Sequence, residues 1–340
     1  MGKAAPPRWK ALLRQHETLL LLVVVLEWVC FNRIGPRFGT LDNSYDIVRH
    51  SVEIGLLALA MTPIILTGGI DLSVGSLLGL CAILFGKLWR DGHWPIELCL
   101  GATLLMGALG GALNAWLITA LRLPALIVTL GTYSLFRGLA EAVTRGLDTF
   151  TGFPSAYLSL GQGRWLGIPA QAVVFVLCAL GIWILVHRTT FGRSWRAVGF
   201  SVEGSRYAGI PVQRRIAGVY VLSGIIVAIA SVIYTARLGQ AKADAGTGYE
   251  LLAITAVVLG GTSIFGGVGS VHGTLLGVAA IAILNNGLVH ARQPREVGGM
   301  LTGALLLLTL TISVLPKMMA RPARGPYPSV KKTDVSGNTT

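Results

Sequence analysis

Two carboxylates stand within apolar sequence: Asp71, in "ILTGGIDLSVGSLLGL" (65–80), and Glu250, in "GTGYEL" (246–251). A charge near the centre of a bilayer costs about 2.5–3.5 kcal/mol on insertion scales, so a carboxylate kept there commonly faces a polar path, carries a proton or works a gate. Asp71 also admits a structural reading. Preceded by Gly68 and Gly69, it can begin a helix at the cytoplasmic end of a span, where the positive end of the helix dipole favours an acid. Ser73, Asn114 and Asn285 join the two acids as candidates for a translocation path or gate. An amide turned to lipid leaves its polar groups unsatisfied, which predicts that Asn114 and Asn285 face other helices.

Catalytic constellations are missing. The Gly-Lys pairs at Gly2-Lys3 and Gly86-Lys87 lack the hydroxyl residue that would complete a phosphate loop, and no Gly-x-Gly-x-x-Gly, His-Glu-x-x-His or Gly-x-Ser-x-Gly occurs. Cys30, Cys81, Cys99 and Cys178 are isolated in or beside apolar stretches, a pattern of packing residues with neither disulfide nor metal implied. The chain is therefore expected to be no enzyme and to bind no cofactor or metal itself.

These residues must be positioned by membrane helices. Hydrophobic residues make up 53% of the 340 and charged residues 13%, against roughly a quarter charged in soluble domains, which predicts an all-α integral membrane protein. A spanning helix needs ~20 predominantly apolar residues. Ten segments approach that standard: 18–36, 47–67, 71–90, 96–120, 124–144, 168–187, 216–236, 251–266, 272–290 and 297–316, the eighth being short. The net charge of +13 could mark a nucleic-acid binder, but its distribution is a topology signal. With the N-terminus inside, sixteen Lys and Arg fall on the cytoplasmic side and eleven outside, with Arg137 in a span, the bias of the positive-inside rule. The expected division is a cytoplasmic tail (1–17), a membrane domain (18–316) and a disordered cytoplasmic tail (317–340). Residues 1–30 begin like a secretory signal peptide, but Glu27, Trp28 and Phe31 occupy the place of a small-residue cleavage site, so a retained first helix is expected. Arg137 and Glu141, four residues apart on span five near the outer boundary, can pair on one helix face; snorkelling and substrate binding both suit them.

The two halves of the chain look alike. "TGGIDL" (67–72) parallels "GTGYEL" (246–251), and "ALNAWLI" (112–118) parallels "ILNNGLV" (283–289), setting Asp71 against Glu250 and Asn114 against Asn285. Spans 2–5 then correspond to spans 7–10, and an odd offset of five helices reverses direction through the bilayer, the inverted repeat of many transporters. Seven Gly-x-x-x-Gly pairs, among them Gly75/Gly79, Gly107/Gly111, Gly269/Gly273/Gly277 and Gly299/Gly303, predict close helix packing. Gly68, Gly69, Gly260, Gly261, Gly266 and Gly267 are too clustered for regular helix and mark breaks.

The loop 188–215 is too polar to cross. A short helix fits its middle, with Ser201 as cap, Glu203 in the first turn, Gly209 at the end and Pro211 beyond. Trp195, Val198, Val202 and Tyr207 offer apolar surface among its arginines, for an interfacial helix on anionic lipid or for docking to a cytoplasmic partner.

Three stretches together resemble the permease family of ATP-binding-cassette importers for ribose, xylose, rhamnose and the autoinducer-2 signal: "GGIDLSVGS" (68–76), "TLGTYSLFRGLA" (129–140) and "AGTGYELLAITAVVLGGTSIFGGVGSVHGTLLG" (245–277). The likeness runs from about residue 48 to 316. It implies a bacterial inner-membrane permease, paired as a homodimer or heterodimer, with two cytoplasmic ATPase subunits that use the ATP and an extracytoplasmic sugar-binding protein. The family's coupling segment reads Glu-Ala-Ala followed by Gly-Ile-Pro; Glu203, Gly209, Ile210 and Pro211 match, while Gly204 and Ser205 replace the alanines. Two competing readings are a branched-chain amino-acid permease of the same superfamily and a proton-coupled secondary transporter using Asp71 or Glu250.

Overall fold

The computed structural model describes residues 16–146, 149–165 and 167–319; the tail expectations for 1–15 and 320–340 lie outside the described residues. The elements are α1 (His16–Ile34), α2 (Leu41–Leu66), α3 (Val74–Arg90), α4 (Ile96–Thr119), α5 (Ala125–Thr144), α6 (Ser155–Gln162), a minimal antiparallel hairpin β1 (Arg164–Trp165) and β2 (Ile168–Pro169), α7 (Ala170–Arg188), α8 (Thr190–Phe200), α9 (Val202–Tyr207), α10 (Val212–Leu238), α11 (Tyr249–Leu259), α12 (Val271–His290) and α13 (Arg295–Met319). Each of the ten apolar segments holds a helix. Six of them, α2, α4, α5, α7, α10 and α12, are long and apolar enough to cross a membrane. The shortest, α11, has 11 residues.

From Gly55 to Leu66 every residue of α2 is buried. A helix apolar on all sides belongs in the middle of a bundle, and α2 is surrounded there by α7, α10, α11 and α12. In lipid, helices gain little from burying apolar surface, so small residues decide where backbones meet. Gly107 and Gly111 of α4 press against Gly224 and the Tyr220 carbonyl of α10, and Gly273 and Gly277 of α12 against Gly260 and the Ala256 carbonyl beside α11. Gly299 and Gly303 of α13 differ: nothing lies within 4 Å of a Cβ built on either.

The ends of the bundle are distinct. At one, His16 bonds the Leu259 carbonyl at 2.7 Å, the Leu66 carbonyl accepts from Gly267 N at 2.9 Å, and Arg196 donates to the Val186 carbonyl at 2.9 Å. This end therefore gathers the start of α1, the ends of α2 and α7, α8 and the 260–270 turn. At the other, Asn43 of α2 and Asn286 of α12 exchange two amide bonds of 3.0 Å.

The loop 188–215 folds into two helices where the sequence predicts one. Thr189 Oγ1 accepts from Phe191 N at 3.1 Å and starts α8, whose Trp195 and Val198 are buried. Those two side chains, expected on the docking surface, belong to the core; Phe200 (78% exposed) and Tyr207 (93% exposed) stand out instead. The period of α8 explains this, because Trp195 and Val198 lie three residues apart on one face.

Candidate functional site

Between α2 and α3 the chain leaves helical geometry, and its polar groups are closed off by neighbouring helices. Gly68, with φ +83°, permits the turn. Asp71 is 2% exposed and lies just before α3 instead of in its first turn; its Oδ1 accepts from Ser73 N at 2.9 Å and Ser73 Oγ at 2.6 Å. Asn114 of α4 donates from Nδ2 to Ser73 Oγ at 2.8 Å, and Thr132 of α5 donates to Asn114 Oδ1 at 2.7 Å. The Ile70 carbonyl accepts from Thr129 at 3.2 Å and from Tyr220 of α10 at 3.5 Å. Three of the five residues read from the sequence as path or gate candidates thus form one buried network, tying the break to α4, α5 and α10. Asn285 is not part of it. Half-buried on α12, it lines a cavity of about 350 Å³ with His50, Ser51 and Asn286.

A second break explains the brevity of α11. After Gly239, a segment from 240 to 248 lies outside helix, paired to Phe150 through Ala241, and runs along α3. A Cβ on Gly75 would run into the Glu250 carboxylate and lie 2.5 Å from the Gly246 carbonyl, and one on Gly79 would lie 2.9 Å from the Ala245 carbonyl. The Gly75/Gly79 pair therefore receives a non-helical turn of backbone where a helix was the expectation. Arg137 donates to the carbonyls of Ala243 and Ala245, the latter 3.1 Å from both Nη1 and Nη2. Among the described residues Arg137 forms no ion pair with Glu141, so the i, i+4 pairing is replaced by this carbonyl clamp. Non-helical backbone among packed helices needs its polar groups satisfied by protein, and here one guanidinium on a glycine face and the pairing with Phe150 supply that. Glu250, 7% exposed, accepts from Gly248 N at 3.2 Å, and its Oε2 has no partner among the described residues. Asp244 and Thr247 point outward from the same segment.

One charged pair escaped the sequence reading. Glu53, fully buried on α2, accepts from Arg237 Nε of α10 at 2.6 Å. Its signal was available, a carboxylate midway along span two facing an arginine at the end of span seven. Their distance apart in the chain concealed the pairing.

The segment 201–211, expected from the sequence to form a short capped helix, is built that way at its core. Ser201 Oγ accepts from Gly204 N at 3.0 Å, Glu203 sits in the first turn of α9, Ile210 N donates back to the Ser205 carbonyl at 2.9 Å, Gly209 takes φ +76°, and Pro211 follows. The left-handed conformation at Gly209 strains any residue with a Cβ. Immediately before α9, Gly199 meets two other segments backbone to backbone: a Cβ there would overlap the Leu66 carbonyl and Gly267 N, while one on Gly266 would lie 2.8 Å from Gly68 N. Three of the six glycines expected to mark breaks, Gly68, Gly266 and Gly267, therefore converge on the end of α8. Gly266 and Gly267 have φ of +83° and +82°, and Gly261 +87°; Gly260 is in a right-handed conformation, small for packing against Gly273, and Gly69 is small for packing against Tyr220. Arg196 spans from the Val186 carbonyl to that of Gly269, and burial holds its guanidinium below its ordinary pKa. Among the described residues no group of three His, Cys, Asp or Glu could hold a metal ion.

Over residues 44–310 the sequence matches the family described as branched-chain amino acid transport system, permease component. The chain belongs to that family. Relatives of this permease include the autoinducer 2 import system permease proteins LsrD of Escherichia coli (strain K12) and Shigella flexneri, each 37% identical over 324 residues, spanning 92% of this chain and 98% of theirs. In fold the permease resembles a chain described as a metal-chelate type ABC transporter in an inward-facing conformation, with a TM-score of 0.51 at 16% identity over 87% of this chain and 98% of that one. Membership removes the proton-coupled carrier and agrees with an ABC transporter permease crossing the membrane several times.

Proposed function

We propose that this permease forms the membrane path of an ATP-driven importer for a sugar-like small solute. It would work as one of two permease subunits, identical or homologous, with two cytoplasmic ATP-binding-cassette ATPases and an extracytoplasmic binding protein, both chain termini lying in the cytoplasm. The identity to autoinducer-2 permeases over nearly the whole chain supports the sugar-like cargo over a branched-chain amino acid. The observation that carries the mechanism is the Gly199 junction. An ATPase that grips the exposed Phe200, Glu203 and Tyr207 would hold α9 and the end of α8, and α8 touches the end of α2 and the 260–270 turn at Gly199 through backbone atoms with no intervening side chain. Packed interfaces of this kind shift between discrete arrangements more readily than they deform, so movement of α8 with α9 would reach the first break directly and the second through α11, which joins the 240–248 segment to the 260–270 turn. Asp71, Ser73 and Asn114 at one break and Glu250 at the other are the residues proposed to gate the path, which runs between the two repeats; Asn285 lines the cavity beside α2 on the same reading.

The test is uptake of labelled sugars by liposomes holding the assembled transporter, its binding protein and internal or external ATP. Import of sugar that needs both ATP and the binding protein is expected, and import of branched-chain amino acids in its place would reverse the substrate class. In the same liposomes Glu203→Arg and Gly209→Val should insert and dimerise normally yet lose uptake and binding-protein-stimulated ATP hydrolysis, the Gly209 change being the more damaging. Wild-type values of both for both variants would make α9 a lipid-facing helix.

A further inference from the structure

Beside the coupling helices lies a cleft that the transport reading does not use. It is about 180 Å³ in volume and is formed by the end of α7, by α8 and by the start of α10. Its mouth carries Arg214 and Arg215, and Arg215 stacks 4.4 Å above the Phe191 ring. Among the described residues neither arginine forms a salt bridge. Two donors at the cleft are buried without an acceptor: the indole Nε1 of Trp195, a residue only 4% exposed, and Nε of Arg215. A buried donor left unpaired is costly, so the Trp195 indole and the Arg215 guanidinium, whose Nε is the second such donor, would each gain from an acceptor admitted to the cleft by a shift of the side chains that cover them.

The rest of the cleft says what kind of molecule carries that acceptor. Arg214, Gly218 and Leu222 follow one another at intervals of four on α10, a single helix ridge that leads ~12 Å from the charged mouth into the apolar zone at 1.5 Å per residue. Nothing lies within 4 Å of a Cβ built on Gly218, and Leu185 forms the opposite wall. The mouth thus combines fixed positive charge and orphan donors, and an open apolar groove departs from it. We infer that this cleft binds an anionic phospholipid, its phosphate held by Arg214, Arg215 and the Trp195 indole and one acyl chain lying along Gly218 and Leu222. The inference does not depend on the cargo. Planar guanidinium groups suit phosphate oxygens, and each basic group near a bilayer surface adds to the attraction of anionic lipid.

Native mass spectrometry of the full-length permease, alone and in the assembled transporter, measures this with three probes: phosphatidylglycerol, phosphatidylcholine and inorganic phosphate. Phosphatidylglycerol should remain as a stoichiometric adduct with about tenfold preference over phosphatidylcholine. The double variant Arg214→Gln/Arg215→Gln should lose about tenfold in that affinity, and Trp195→Phe, which deletes the N–H and keeps an aromatic ring, about threefold. Gly218→Leu should weaken the lipid by filling the groove. Arg122→Gln, which removes one charge from the same side of the bilayer in the loop between α4 and α5, should change nothing; unfolding temperatures in neutral lipid show that the variants are folded. Equal binding of the two lipids, or equal losses in the Arg122 variant, would reduce the effect to general surface charge and overturn the site. Saturation by inorganic phosphate with no gain from the acyl chains would make it a free-anion site and reject the lipid. Displacement of the adduct when the ATPases assemble would make the cleft part of a subunit interface and likewise end the proposal.

Discussion

The two breaks face the same physical problem and meet it differently. At 67–73 the polar groups of an interrupted helix are satisfied by side chains from three helices, with Ser73 passing the chain of bonds from Asp71 to Asn114 and on to Thr132. At 240–250 the interruption is longer, and it rests on the bare Gly75/Gly79 face of α3 under a single arginine. A distributed network loses one bond at a time, whereas a clamp is either closed or open. The comparison makes the first break the expected rigid one and the second the expected hinge, since the Arg137 hydrogen bonds and the Phe150–Ala241 pairing must open for the segment to leave α3. The Glu250 oxygen with no partner and the outward Asp244 and Thr247 lie on the segment so released.

The largest effect that could break this comparison is expected from Gly75→Leu. A side chain there competes for the space of the Glu250 carboxylate and the Gly246 backbone, and overpacking of this kind costs about 3 kcal/mol or more; low folded yield and loss of uptake are expected, and a variant purified with wild-type thermal stability would show that the segment does not seat on α3. Next comes Arg137→Met, which removes charge-assisted bonds to two carbonyls. A cost of about 2 kcal/mol should appear as a lowered unfolding temperature and lost transport, with Arg137→Lys recovering only part because an ammonium lacks the planar fork. Were the methionine variant as stable as the parent, the glycine face and the Phe150–Ala241 pairing would hold the break without the arginine.

Smaller changes sharpen the contrast from the other side. Asn114→Leu should cost about 1 kcal/mol and Thr132→Val about 0.6 kcal/mol, both with the preference among sugars unaltered in uptake competition; a loss as large as that of Arg137→Met would mean that the first break is no more robust than the second. The gentlest probe is chemical. With Cys30, Cys81, Cys99 and Cys178 replaced, Thr247→Cys should react with a water-soluble thiol reagent at a rate that changes with ATP in the assembled transporter, while Ser76→Cys, fully buried behind the first break, should stay silent. Equal reactivity at both positions would remove the distinction between hinge and seal.

Much of this organisation was legible in order along the chain. The ten apolar segments, the capped turn from Ser201 to Pro211 and the helix-breaking role of Gly68 and Gly266 are local properties, since hydrophobic run length, capping chemistry and glycine clusters act over a few residues. The motif stretches sufficed to name the family. Asn114 was expected to face other helices on the ground that an amide in lipid is costly, and it is fully buried. α8 escaped notice because its eleven residues mix arginines with apolar side chains and read as loop, and the helix became definite only where Trp195 and Val198 found a core to enter.

Run length, composition and motif content by themselves determined that this protein crosses a membrane many times and that the sequence holds no phosphate loop. Only the tertiary structure decided what meets what. Arg137 turned from Glu141 to the carbonyls of Ala243 and Ala245, more than a hundred residues away; Glu53 found Arg237; and Gly68, Gly199 and Gly266 came together at one point. The physical reason is that a buried polar group takes whichever partner the packing brings within about 3 Å, and in a bundle of helices that partner is set by which small residues let two backbones approach, a property of pairs of segments that no single stretch contains.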